Sequence, residues 1–86
     1  MPTEEFEILS SISNIVTFAE GPGVRVRVRL NQQYAAGRRV RWRHSKGLAE
    51  VKYKNGEVWL VELHWFEAHG IGRCEIRDKH KLRRLG

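Results

Sequence analysis

Eighty-six residues make one domain, and a chain this short buries only a little more than ~60% of its unfolded surface, so the core must be compact. A single cysteine, Cys74, excludes an intramolecular disulfide, and no Cys/His spacing matches a structural zinc site. No apolar stretch is long enough to span a membrane, and the amino terminus (Met1-Pro2-Thr3-Glu4-Glu5) is acidic where a signal peptide would be basic, so the expected setting is a reducing cytoplasm.

The first predicted element is a strand over 6–12, where Phe6, Ile8 and Ile12 alternate with polar residues. Ile15, Val16 and Phe18 continue the extended pattern after a bend at Ser13-Asn14. Glu20-Gly21-Pro22-Gly23 is a turn. Residues 24 to 36 carry two signals. Val24 to Leu30 alternates strictly with arginine, as a strand would, while Val26, Leu30 and Tyr34 lie four apart and Gly37 follows as a helix terminator. A hairpin-based sheet needs a covering layer, which favours a helix over about 24–36; a small all-β barrel is the alternative. Val40, Trp42 and His44 alternate with Arg39, Arg41 and Arg43 in a strand over 39–44. A bend or bulge at Lys46-Gly47 precedes a hairpin over 48–66 with Asn55-Gly56 as a type I′ turn. A last strand over 72–77 places Cys74 and Ile76 on one face. From about 78 the chain is expected to be a basic tail or short helix anchored by Leu82 and Leu85. The fold class is thus α+β, an antiparallel sheet of about four strands covered by one helix.

A two-residue turn sets Tyr53 opposite Val58, Ala49 opposite Glu62 and Gly47 opposite His64, all on one face. Glu62 and His64 would then share the core face with Val51 and Leu60, over a shallow pocket floored by the two small residues. With His69 and Arg73, just beyond, they supply the residue types of a metal-independent ribonuclease. That reaction needs a group titrating near neutrality, a carboxylate partner and a cation for the developing phosphorane. The plainer reading is a structural Glu62–His64 pair and a loop histidine in solvent. A metal site on Glu62, His64 and His69 matches no established ligand spacing, and no cofactor is expected. Trp65 reads as core, Trp59 as a surface cation–π partner of Lys52, and Tyr34 as a helix anchor.

The positive charge is unevenly spread. Residues 24–47 hold Arg25, Arg27, Arg29, Arg38, Arg39, Arg41, Arg43 and Lys46 with no acid, and residues 73–84 add Arg73, Arg77, Lys79, Lys81, Arg83 and Arg84 against Glu75 and Asp78, so fourteen of the sixteen bases behind the formal +6 lie in these two segments. Guanidinium forks match phosphate oxygens, so the expected partner is a nucleic acid, RNA before DNA. Arg25, Arg27, Arg29, Arg38, Arg39, Arg41, Arg43, Lys46, Arg77, Lys81, Arg83 and Arg84 are the candidate contacts. A third reading is an interaction module that uses Trp59 and an exposed edge strand for self-association or a protein partner.

The run Val61-Glu62-Leu63-His64-Trp65-Phe66-Glu67-Ala68-His69-Gly70-Ile71-Gly72-Arg73, with Leu30 to Tyr34 and Trp42 to Gly47 before it, resembles a family of short bacterial proteins common in cyanobacteria. The resemblance spans roughly residues 24–80 and implies a helix where this chain has Val24 to Leu30; that family has no established activity to lend. The order helix, strand, Lys-Gly bend, hairpin, last strand is loosely similar to RelE/ParE-type toxins, a likeness of fold alone.

Overall fold

A computed structural model describes residues 5–86; the acidic start over Met1 to Glu4 lies outside the described residues. The elements are β1 (Phe6–Ile8), β2 (Ser13–Glu20), a 3₁₀ turn (Gly21–Gly23), α1 (Arg27–Tyr34), β3 (Arg43–Tyr53), β4 (Val58–Ala68) and β5 (Gly72–Arg84). All strand pairs are antiparallel, with β4 between β3 and β5. β1 and β2 pair with the other side of β3 one after the other, β1 along Val51 to Tyr53 and β2 along Arg43 to Leu48. They act as one interrupted edge, so five strands fill the expected four positions. Among the described residues β5 pairs with β4 alone, and the sheet stays open where a barrel would close.

The interruption has a packing cause. Leu9 N–H donates to Glu50 O at 2.8 Å and Ser10 Oγ accepts from Glu50 N–H at 3.0 Å. Ile12 then drops over Gly47, where an added Cβ would lie 2.5 Å from Ile12 Cγ2 and 3.2 Å from Trp65 Cη2. A side chain at 47 would thus meet two core groups. For the same reason Lys46-Gly47 is no bend: β3 runs through it unbroken. The predicted strand over 39–44 begins only at Arg43.

The helix forms as expected but is shorter. Val24 to Val26 stay outside it, and it ends with Ala36 and Gly37 at positive φ while Gly37 N–H donates to Asn31 O at 2.8 Å. Eight residues are too few for a helix to persist alone, so tertiary contacts hold it. Leu30 packs with Val24, Trp42, Ala68 and Cys74 in a cluster at one end of the outer sheet face. Asn31 Oδ1 accepts from the Trp42 indole at 2.8 Å, giving that buried ring its polar partner.

The hairpin turn departs from expectation in a way that matters. Tyr53 N–H donates to Glu57 O at 2.9 Å and Gly56 has φ +90°, whereas Asn55 is not at positive φ. A three-residue loop with glycine in the left-handed region replaces the type I′ turn. Every cross-strand pair shifts by one: Ala49 faces Val61, Leu48 faces Glu62 and Lys46 faces His64. A one-residue slip sends a residue to the opposite face. The inner face therefore holds Ala49, Val51, Tyr53, Val61, Leu63 and Trp65, all buried, and Glu62 and His64 turn outward.

That inner face is closed by coiling. Tyr53 Oη donates to Asp78 Oδ2 at 2.5 Å, although Asp78 lies level with Gly47 two strands away. In a flat sheet those Cα atoms would stand about 22 Å apart. Register shifts between Leu60/Val61, Glu62/Leu63 and His64/Phe66 let β5 wrap, since bulges increase local twist. Positive φ at Glu75 separates Cys74, which joins the helix cluster, from Ile76, which packs on the inner core; they do not share the predicted face. β5 continues to Arg84, so the expected tail or helix from 78 is strand, and Leu82 and Leu85 are exposed. Backbone bonds from Leu85 N–H to Val58 O (2.7 Å) and from Val58 N–H to Gly86 O (3.0 Å) tie the end down. Among the described residues no helix is long and apolar enough to cross a membrane.

Candidate nucleic-acid interface

The outward turn of β4 dissolves the predicted pocket over Ala49 and Gly47. Glu62 and His64 stay together, with Glu62 Oε1 2.7 Å from His64 Nε2, but on the outer face among Lys46, Leu48 and His80. The hydrogen bond from His64, working against partial burial, holds the Glu62 carboxyl below its ordinary range. Arg73 does not join them: it pairs with Glu67 in the strand register, and its guanidinium lies 5.0 Å from the centroid of the Trp65 ring. His69 sits in the exposed turn after β4. The four-residue acid–histidine–arginine set is therefore not assembled, and the cations opposite His64 are Lys46 on β3 and Arg77 on β5. Among the described residues no three His, Cys, Asp or Glu side chains are placed to hold a metal ion.

The outer face builds something else. His44 stacks on Phe66 with centroids 4.3 Å apart and planes at 27°. Phe18, from the edge strand, lies 4.2 Å from His44 and 5.4 Å from His64, and is 46% exposed. β2 delivers Phe18 here through a register shift between Thr17 and Ala19. Where α1 leaves the sheet uncovered, two adjoining hollows open. One of about 190 Å³ is lined by Arg29, His64, Glu75, Arg77 and Lys79, the other of about 410 Å³ by Phe18, Val24 and Arg25; both reach Val26, His44 and Phe66. Burial, and then the charges of His64 and Lys79, push the His44 imidazole below its ordinary value. At neutral pH it offers a flat, uncharged ring.

The cations divide into engaged and free. Arg29 is held by Glu75 (2.6 Å), Arg41 by Glu20 (3.2 Å) and Arg43 by Glu67 (3.3 Å). Arg77 and Arg84 have looser contacts with Glu75 (3.8 Å) and Glu57 (4.0 Å). Arg27 and Arg38 donate to the carbonyls of Pro22 and Ala35. Lys81 lies over the Tyr53 and Trp59 rings, replacing the expected Trp59–Lys52 pair; Trp59 faces Val51. Among the described residues Arg25, Arg39, Lys79 and Arg83 have no carboxylate partner, and Lys46 makes no ion pair, though its charge helps hold the Glu62 carboxyl down.

Of the predicted contacts, Arg25, Lys46 and Arg77 border the aromatic patch, whereas Arg38, Arg39 and Arg41 belong elsewhere. Sequence reasoning missed Phe18, His44, Phe66 and Lys79. Their meeting depends on two register shifts, and the only local trace was an exposed-type aromatic in an edge strand. Compared with protein-family models, curated proteins and solved structures, the chain matches none.

Proposed function

We propose that this protein binds single-stranded nucleic acid, RNA in preference to DNA, across the open part of its outer sheet face. The observation that carries the reading is the exposed Phe18 ring packed on the His44–Phe66 stack, bordered by Lys46 and Lys79, neither of them in an ion pair among the described residues. Aromatic faces accept any base by stacking, and cations beside them track the phosphates. Glu62 would repel a phosphate but can accept a hydrogen bond from a ribose 2′-hydroxyl, which supports RNA. Duplexes, whose bases are already stacked, should bind less well.

Fluorescence anisotropy with a labelled 12-mer RNA, its DNA counterpart and the RNA duplex tests this. Single-stranded RNA should bind best, and Phe18→Ala should weaken it about tenfold, in line with the ~1–3 kcal/mol of one base–aromatic stack. A folded Phe18→Ala protein with unchanged affinity, or no binding at low salt, would reject the proposal. A second reading, metal-independent RNA cleavage, is favoured only by the 2.7 Å Glu62–His64 contact with Arg77 opposite. The same mixtures run on a gel decide it: cleavage that survives EDTA and disappears in His64→Ala would establish it, and intact RNA would remove it.

A further inference from the structure

A second cleft, sharing no residue with the outer-face hollows, opens between the 3₁₀ turn, the start of α1 and the segment before β3. It encloses about 500 Å³, and Arg27, Arg39 and Arg41 converge on it together with Pro22, Val28 and Val40. Its shape is set from below: Asn31 Oδ1 accepts from Val40 N–H at 3.4 Å and from the Trp42 indole at 2.8 Å, fixing the stretch that carries Arg39 and Arg41.

We propose that this cleft is a binding site for a nucleoside phosphate monoester. Three guanidiniums bring three positive charges, and Glu20, 3.2 Å from Arg41, is the one carboxylate in contact with them among the described residues, leaving a surplus of two. A phosphate monoester near neutral pH carries close to two negative charges, as a phosphodiester does not. The donors are available: Arg27 spends one N–H on Pro22 O at 3.0 Å, and Arg39 has no partner among the described residues. Each guanidinium has five N–H groups and binds phosphate bidentately. The remaining wall is uncharged, formed by Gly21, Pro22, Val28 and Val40 with Asn31 as its one polar side chain, and Val28 stands 66% exposed on it, which suits the sugar and base rather than a second charge. The volume falls in the range of small-ligand sites. The ligand can be a free nucleotide or the 5′-phosphorylated end of a strand.

Isothermal titration of the full chain with AMP, adenosine and inorganic phosphate tests the site, and a 12-mer RNA with 5′-phosphate or 5′-hydroxyl distinguishes the sources. AMP should bind at least tenfold tighter than inorganic phosphate or adenosine. Arg39→Ala should weaken AMP about tenfold, and Glu20→Gln, which releases Arg41, should tighten it severalfold. Phe18→Ala should leave AMP binding unchanged, separating this site from the sheet face. Tighter binding of the 5′-phosphorylated RNA, lost in Arg39→Ala, assigns the site to strand ends; equal RNAs with AMP bound assign it to free nucleotide. Adenosine binding as well as AMP, or an Arg39→Ala or Glu20→Gln protein indistinguishable from wild type, overturns the proposal.

Discussion

Salt dependence offers the sharpest test of which cations meet a nucleic acid. On the open outer face Lys46 and Arg77 flank His64 in the register, and Lys79 borders the same hollow. Three phosphate contacts by a single strand give a slope of log K against log salt of roughly −2.1. Raising salt fourfold should then cost about twentyfold in affinity. Replacing Lys46 and Lys79 by alanine leaves one contact, a slope near −0.7 and a loss of only about threefold. The matched control, run on RNA with a 5′-hydroxyl so that the Arg27–Arg39–Arg41 cleft is not engaged, is Arg41→Ala with Arg43→Ala, which removes the same charge. Those arginines are held by Glu20 and Glu67, so the slope should stay near that of the parent protein. Anisotropy titrations at four salt concentrations read both variants. If the arginine pair flattens the slope and the lysine pair does not, the assignment of the binding face is wrong.

Other consequences concern stability. Gly47→Ala forces a methyl against Ile12, Ser13 O and Trp65, and such overpacking should cost about 1–3 kcal/mol, read as a loss of several degrees in Tm by calorimetry. Glu75 accepts from Arg29 at 2.6 and 3.0 Å and from Tyr34 at 2.9 Å, which ties α1 to β5. Glu75→Gln should cost about 1 kcal/mol in urea unfolding, a modest figure because Arg29 is half exposed. His44 has a folded-state pKa below its ordinary 6.5, so the unfolded chain binds the extra proton first. Stability should therefore fall as pH drops through and below 6.5, and His44→Gln should remove that part of the decline; an unchanged pH profile would count against burial of a neutral imidazole.

The helix and the central hairpin could be read from the chain because their signals are local: a glycine stop after Tyr34, and two β-rich runs around Asn55-Gly56. The faces could not, because Asn-Gly fits both a two-residue type I′ turn and the three-residue loop that places only Gly56 at positive φ. The buried faces decide between them, since the observed register buries Val61, Leu63 and Trp65 and exposes Glu62 and His64. The other register would have put the acid and the histidine in the core. β5 was half hidden for a different reason. Charged residues of an edge strand, broken by bulges, show none of the alternation that marks a strand. The Phe18–His44–Phe66 patch joins three strands from distant parts of the chain, so no spacing rule could reveal it.

The interrupted edge also carries a consequence for assembly order. β3, β4 and β5 form a meander joined by short turns, whereas Phe6 must find Tyr53 and Ser13 must find Leu48 across the intervening helix. Closing those longer loops costs more chain entropy before any contact rewards it. The meander should therefore form first, with the amino-terminal edge docking last and Ile12 entering the gap above Gly47 as the final fit. Until then the outer edge of β3 is an unpaired template for a neighbouring chain. Hydrogen exchange that reaches β2 amides well before those of β4 would agree with this sequence of events, and simultaneous exchange would contradict it.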